Sequence, residues 1–160
     1  MWFLTVGMHE GGFVRLVRAA DDLAAQGKQE IVAQIADTPY RPRHLRWFRY
    51  ASDERMVRIA SAADVVIAHC GAGSVLLALR LRKPLVVVPR LRRFGEHHDD
   101  HQLQLARYLG KQGSAVVVED EKELEAAVES AKPPPPVDSA EHRKKLIAYI
   151  ESILSEAARL

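Results

Sequence analysis

Ala63-Asp-Val-Val-Ile-Ala-His-Cys-Gly-Ala-Gly-Ser74 is the stretch whose reading decides the fold. Val65–Ala68 is a short, wholly apolar run rich in β-branched residues, the pattern of a strand buried on both faces. It runs into a turn carrying Gly71 and Gly73, and a helical pattern continues from near Gly73 to about Arg82. Strand, glycine turn and helix are part of a crossover unit, and the same alternation extends both ways. Upstream, Met1–Val6 reads as a strand, and Phe13, Leu16, Val17, Ala20, Leu23 and Ala24 recur at helical spacing. Glu30–Ile35 reads as a second strand and Leu45–Tyr50 as a weaker third, and Asp53 fits the N-cap of a helix over 54–62. Downstream follow a strand over Leu85–Val88 ended by Pro89, a helix over Asp99–Lys111, a strand over Ala115–Val118 and a helix over Lys122–Ala131. Alternation of this kind predicts an α/β fold, a Rossmann-like, doubly wound, mostly parallel sheet. One link departs from it. Asp37–Arg43 contains Pro39 and Pro42 and reads as a loop where a crossover helix is expected.

Composition bounds the function. The chain has 160 residues, 48% hydrophobic and 28% charged, enough for one globular domain with a real core. A single cysteine excludes a disulfide scaffold and fits a reducing, cytoplasmic compartment. A net charge of +2 gives no general argument for nucleic-acid binding. The run Met1–Val6 stops at Gly7, too short for a signal sequence, and no run approaches the roughly 18 residues of a membrane span. The expected organisation is a domain over 1–131, a spacer over 132–138 stiffened by Pro133–Pro136, and an amphipathic helix over 139–160. That helix carries Ala140, Leu146, Ile147, Ile150, Ile153, Leu154 and Ala157 on one side, and either self-packing or a partner would cover them.

Three segments carry chemistry, each after the carboxyl end of an expected strand, where doubly wound sheets bind ligands. The turn His69-Cys-Gly-Ala-Gly-Ser74 ends a strand and opens a helix whose free N–H groups favour a phosphate, although a tight turn without a ligand would use the same glycines. Gly7-Met8-His9 begins a second glycine-containing loop, with Gly11 and Gly12 beyond it. Arg90–Gln102 is the third, containing His97, His98, Asp99, Asp100 and His101. The histidine spacing invites a metal, but HExxH is missing and the cysteine is remote, so no metal is expected. The favoured reading is a polar loop capping a helix through Asp99 or Asp100, with His101 and Gln102 facing a sugar-like ligand. Arg41, Arg43, His44, Arg46 and Arg49 interleave with Tyr40, Trp47, Phe48 and Tyr50, a pattern compatible with a nucleic acid or an anionic membrane. A solvated loop and edge strand are the expectation there, and no nucleic-acid partner is expected.

Asp64-Val-Val-Ile-Ala-His-Cys-Gly-Ala-Gly-Ser-Val75, Lys83-Pro-Leu-Val-Val-Val-Pro-Arg90 and Asp100-His-Gln-Leu-Gln-Leu-Ala106 resemble, in order and spacing, the C-terminal domain of family 28 glycosyltransferases. Phe3-Leu-Thr-Val-Gly7 with Phe13 resembles its single-domain branch. That branch holds the soluble subunit of the dolichol-linked UDP-N-acetylglucosamine transferase and exopolysaccharide subunits of the PssE and EpsF type, and Pro89–Gln102 looks closer to the latter. The resemblance covers about residues 1–130. It implies the donor-binding half of a GT-B glycosyltransferase, with UDP-sugar as substrate and no metal or other cofactor. The acceptor half would be a membrane-anchored partner subunit presenting a lipid-linked saccharide, so this chain would be peripheral to the membrane through that partner. Carried over residue by residue, the donor set is Gly7, Met8, His9, His69, Gly71, Ala72, Gly73, Ser74, Arg90, Asp100, His101 and Gln102. The acceptor base is expected on the partner, which leaves the catalytic residue of this chain unassigned.

One position departs from the family pattern. A Glu three residues after the motif Ser usually holds ribose hydroxyls, and here Leu77 stands there. Ribose must then be held otherwise or donor affinity is low. The other function class is a non-catalytic accessory subunit that stabilises or enhances a membrane-bound glycosyltransferase.

Overall fold

The computed structural model describes residues 1–8, 10–134 and 140–157. Its strands are β1 (Trp2–Thr5), β2 (Ile31–Gln34), β3 (Arg46–Phe48), β4 (Val65–Ala68), β5 (Leu85–Val87) and β6 (Val116–Val117). They form one sheet in the order β3-β2-β1-β4-β5-β6, and every neighbouring pair is parallel. The expected mostly parallel sheet is thus wholly parallel. The chain starts at the centre, builds out to β3, then crosses to β4 on the other side of β1. The β1–β4 seam is therefore the topological switch point, where loops leave the strand ends in opposite directions and open a crevice.

The helices are α1 (Val14–Ala24), α2 (Asp53–Ala62), α3 (Ala72–Arg80), α4 (His101–Lys111), α5 (Leu124–Ser130) and α6 (Ala140–Ala157). Strand side chains alternate between two cores, as the two-residue period dictates. Leu4, Ile67, Val86 and Ala33 face Leu16, Val17 and Ala20 of α1 and Leu124 and Val128 of α5. Phe3, Val66, Leu85 and Val87 face Ala60, Val75, Ala78, Leu105 and Leu109 of α2, α3 and α4. The four central strands, β2, β1, β4 and β5, are covered on both faces, which is why they read as continuous apolar runs.

Between β2 and β3 there is no helix. Asp21 of α1 replaces it as an organiser. Its buried carboxylate accepts hydrogen bonds from the backbone N–H groups of Arg43, His44 and Leu45, at 3.0, 2.8 and 3.2 Å, and from the Tyr40 hydroxyl at 2.8 Å. Burial opposes the Asp21 charge, yet these donors outweigh it and hold the carboxyl below its usual range. Thr38 completes the clamp, its hydroxyl accepting from Phe13 N at 3.0 Å. The basic and aromatic run is then a loop followed by an edge strand, with Arg46 paired to Glu30 at 2.8 Å.

Helix α6 packs back on its own domain. Tyr149 stacks on Tyr108 of α4 at 4.0 Å, and Ile150 is buried in the second core. Ile147 remains exposed. The expected spacer beyond 134, Ser139 and residues 158–160 lie outside the described residues, as do the side chains of Leu146, Ile153 and Leu154. No helix among the described residues is long and apolar enough to cross a membrane.

Local starts differ from the expectations by a residue or two. Ser52, not Asp53, caps α2, its Oγ accepting from Arg55 N at 3.4 Å. A serine hydroxyl reaches back over the first turn, and Asp53 and Glu54 then meet the positive end of the helix dipole. Helix α3 opens at Ala72 with Gly71 as its N-cap. A 3-10 turn over Glu121–Glu123 precedes α5, where one continuous helix is expected.

Candidate functional site

The loops after β1 and β4 meet at the switch point around His69. Its ring is buried between two glycine backbones. A Cβ on Gly7 would stand 2.5 Å from His69 Cε1, and one on Gly71 within 2.1 Å of Nε2, so both positions must lack a side chain for the imidazole to fit. Gly7 also has φ +70°, in the left-handed region. Gln34, at the carboxyl end of β2, fixes the same loop from behind. Its amide nitrogen donates to Gly7 O at 3.0 Å and Arg49 O at 2.9 Å, and its oxygen accepts from the Thr5 hydroxyl at 2.7 Å. Nothing in the sequence beyond a polar residue closing an apolar strand marked Gln34 for this role.

Next to His69, Cys70 adopts φ +63°, an uncommon conformation for a residue with a Cβ. It turns the chain sharply from β4 into α3. Burial pushes the Cys70 thiol up, so it supplies no thiolate nucleophile. Gly71 gives the first turn of α3 no side-chain cap, and no acidic residue sits there. Gly73 points outward, and a Cβ there would meet nothing within 4 Å. The helix N-terminus is therefore open, with partial positive charge and free donors.

A cleft of about 750 Å³ spreads from this point. Gly7, Met8, His69, Gly71, Ala72, Gly73 and Ser74 line one end. Met56 and Val57 of α2 and Leu76 and Leu77 of α3 form apolar walls, with Asp53 and Arg80 among the lining residues. A larger groove of about 930 Å³ runs along α1 toward α5, lined by charged groups such as Arg18, Asp22, Lys122 and Glu125. It contains none of the residues expected to bind a donor. We place the site in the smaller cleft because it lies at the switch point and holds the uncapped helix end.

The third segment is placed differently. Asp100 accepts from Arg92 N at 3.1 Å, and Gln102 Oε1 accepts from Arg90 N at 3.1 Å. These side chains fold the loop after β5 onto the start of α4 and do not line the cleft. Asp99 makes the capping contact, accepting from His101 N at 3.0 Å. It also stands between two imidazoles, 3.1 Å from His97 Nδ1 and 2.9 Å from His101 Nδ1. Partial burial works to raise the Asp99 carboxyl, but the His101 amide and both imidazoles outweigh it and hold it below its usual range. Among the described residues no group of three or more His, Cys, Asp or Glu is arranged to hold a metal ion.

Arg90 corrects an expectation. It is fully buried, so its side chain is not open to a ligand in this structure. The reason is its position just past β5, under the β1 loop, where its guanidinium donates to Val6 O at 2.8 Å and Gly12 O at 3.2 Å. His9 lies outside the described residues. The sequence reading also missed the strap that locks the β5 loop. Arg15 grips Glu96 with two hydrogen bonds, at 2.8 and 2.9 Å, and reaches Pro89 O at 3.0 Å. Burial opposes the Arg15 charge, but Glu96 and Glu121 outweigh it and raise its pKa further.

The glycosyltransferase family 28 C-terminal domain model matches residues 1–157. The chain belongs to this family. Among relatives of this family 28 domain, a UDP-N-acetylglucosamine--N-acetylmuramyl-(pentapeptide) pyrophosphoryl-undecaprenol N-acetylglucosamine transferase from Rubrobacter xylanophilus is 29% identical over 155 residues, 92% of this chain and 44% of that protein. The UDP-N-acetylglucosamine transferase subunit ALG13 of Homo sapiens is 32% identical over 120 residues, 69% of this chain and 10% of that protein. The chain thus spans less than half the length of these relatives. The solution structure of ALG13 superposes with a TM-score of 0.61 at 20% identity, covering 96% of both chains. The calicheamicin glycosyltransferase CalG4 gives 0.62 at 16% identity, covering 96% of this chain and 39% of that one. The fold is that of one half of a GT-B glycosyltransferase.

Proposed function

We propose that this family 28 domain binds the UDP-sugar donor of an inverting glycosyl transfer, and that a second, membrane-attached subunit presents a lipid-linked saccharide acceptor. The observation that carries the reading is the uncapped N-terminus of α3 at the switch point, open to the cleft at Gly73. The amides of Ala72, Gly73 and Ser74 would take the diphosphate. The nucleoside would lie in the groove between α2 and α3, against Met56, Leu76 and Leu77, with Asp53 and Arg80 at hand for its hydroxyls. Leu77 supplies only apolar contact there.

In the transfer, an acceptor hydroxyl attacks the anomeric carbon. The bond from that carbon to the diphosphate oxygen breaks, and configuration inverts. The proton goes to a base on the partner, while the charge on departing UDP falls to the α3 dipole and amides. These groups are fixed before the reaction, so they need no reorganisation as charge develops. No resident cofactor is assigned to the chain, and Asp100 and Gln102 pin the loop after β5 to the start of α4. Relatives named for UDP-N-acetylglucosamine transfer make that nucleotide sugar the first donor to test, and the word subunit in the ALG13 name supports partner dependence.

The test is reconstitution with the acceptor-binding subunit. UDP-N-acetylglucosamine transfer to a lipid-diphosphate saccharide is expected only when both chains are present, with UDP bound by this chain alone. Full transfer by the partner alone, with no UDP bound here, would assign this chain an accessory role.

A further inference from the structure

Arg90 is a cation that the fold buries completely and satisfies only in part. Its Nη2 spans the two ends of the loop after β1, donating to Val6 O at 2.8 Å and Gly12 O at 3.2 Å. Its guanidinium lies 4.9 Å from the centre of the Phe13 ring, at the start of α1. Its Nε and Nη1 have no hydrogen-bond partner among the described residues. Burial pushes its pKa down to about 10, partly opposed by Glu96, so it stays charged at neutral pH. A buried charge so incompletely paired costs stability, and apolar replacements of such groups are often neutral or stabilising. Stability alone therefore does not account for an arginine here.

What it holds is a glycine-rich loop. Gly7, Gly11 and Gly12 all have positive φ, and Met8 is 73% exposed. Between them, Gln34 ties Gly7 and Arg90 ties the flanks. The same residue's backbone N–H is taken by Gln102 at the start of α4. Arg90 thus joins the loop after β1 to the segment after β5.

We propose that Arg90 is a positioning residue, a buried tie on the flanks of the loop after β1 that sets Gly7 and Met8 at the nucleotide cleft without touching the ligand. This rests on the donor-cleft reading for its functional consequence, but its hold on the loop can be read separately. The variants are Arg90→Met, which keeps the stem and removes donors and charge, and Arg90→Lys, which keeps charge and one donor group. Amide hydrogen exchange, thermal unfolding and UDP calorimetry are measured on the full chain. In Arg90→Met, amides of residues 7–12 should exchange roughly tenfold faster while β4 amides and Tm hold, because loop opening is a local event. UDP affinity should fall roughly tenfold through misplacement of the loop, with part recovered in Arg90→Lys. Unchanged loop exchange would overturn the proposal. So would faster exchange across the whole sheet with a lowered Tm, which would make Arg90 a general structural residue. Wild-type chain that binds no UDP would instead defeat the donor-cleft reading, leaving the exchange result to decide the tie.

Discussion

Gly73→Leu should fold like the wild type and lose UDP. A Cβ at this position meets no atom within 4 Å, and Gly73 is helical, without the positive φ that strains a substitution. Leucine in place of glycine in a helix is favourable by about 0.5–1 kcal/mol, so Tm should hold or rise slightly. The side chain would project from the first turn of α3 into the cleft and deny a diphosphate its approach to the Ala72–Ser74 amides. The expected loss is roughly 100-fold or more in UDP affinity, since misplacement by about an ångström already costs that much in related chemistry. Calorimetry on the variant with circular dichroism as a fold control decides it. Undiminished binding would move the phosphate site away from α3. The neighbouring glycines do not offer so clean a test, because Gly7 and Gly71 seat His69 and Gly12 packs against the Thr38 backbone.

Asp21→Asn should destabilise the protein without touching the cleft. The carboxylate receives the Arg43, His44 and Leu45 amides and the Tyr40 hydroxyl, all to one buried group. An amide side chain offers one acceptor oxygen and turns an NH₂ toward these donors. The expected cost is about 2–4 kcal/mol, from lost charge-assisted bonds and a buried mismatch. At this chain length that lowers Tm by roughly 5–15 °C. The pH dependence carries the sign. Asp21 is held below its usual range in the folded state, so its contribution is fully present above the unfolded pKa of about 4. It is lost as pH falls from there through the folded pKa. In Asp21→Asn this part of the acid limb should flatten, as read by urea unfolding between pH 7 and pH values of about 2. An unchanged acid limb would show that other carboxylates dominate it.

The doubly wound architecture was legible because each buried strand is a short apolar run and each helix an amphipathic one. Val65–Ala68 running into Gly71 is the clearest case. The missing helix between β2 and β3 was legible too, from Pro39 and Pro42. What replaced it was not. Asp21 sits on the inner face of an amphipathic helix, and its partners are backbone amides about 20 residues away, which no local pattern encodes. The glycines of the first and fourth loops were legible as glycines but not for their immediate reason, which is the His69 ring packed between them. Arg90 illustrates the opposite failure. An arginine beside a family motif suggests a ligand contact, whereas burial turns it inward to carbonyls of another loop. Likewise Asp100 and Gln102 spend their side chains on the backbone of the β5 loop. Side-chain direction at a strand end depends on packing across the sheet edge, which sequence spacing does not specify.

The proposed seat of the nucleoside diphosphate is the α3 end of the switch-point cleft. Titrating UDP into the ¹⁵N-labelled full chain, with amide shifts followed residue by residue, tests it most directly. Saturable shifts are expected at Gly7, Met8 and Gly71–Leu77, extending to Asp53 and Met56 of α2. Shifts confined to the α1–α5 groove around Arg18, Asp22 and Lys122, or none at millimolar UDP, would contradict it.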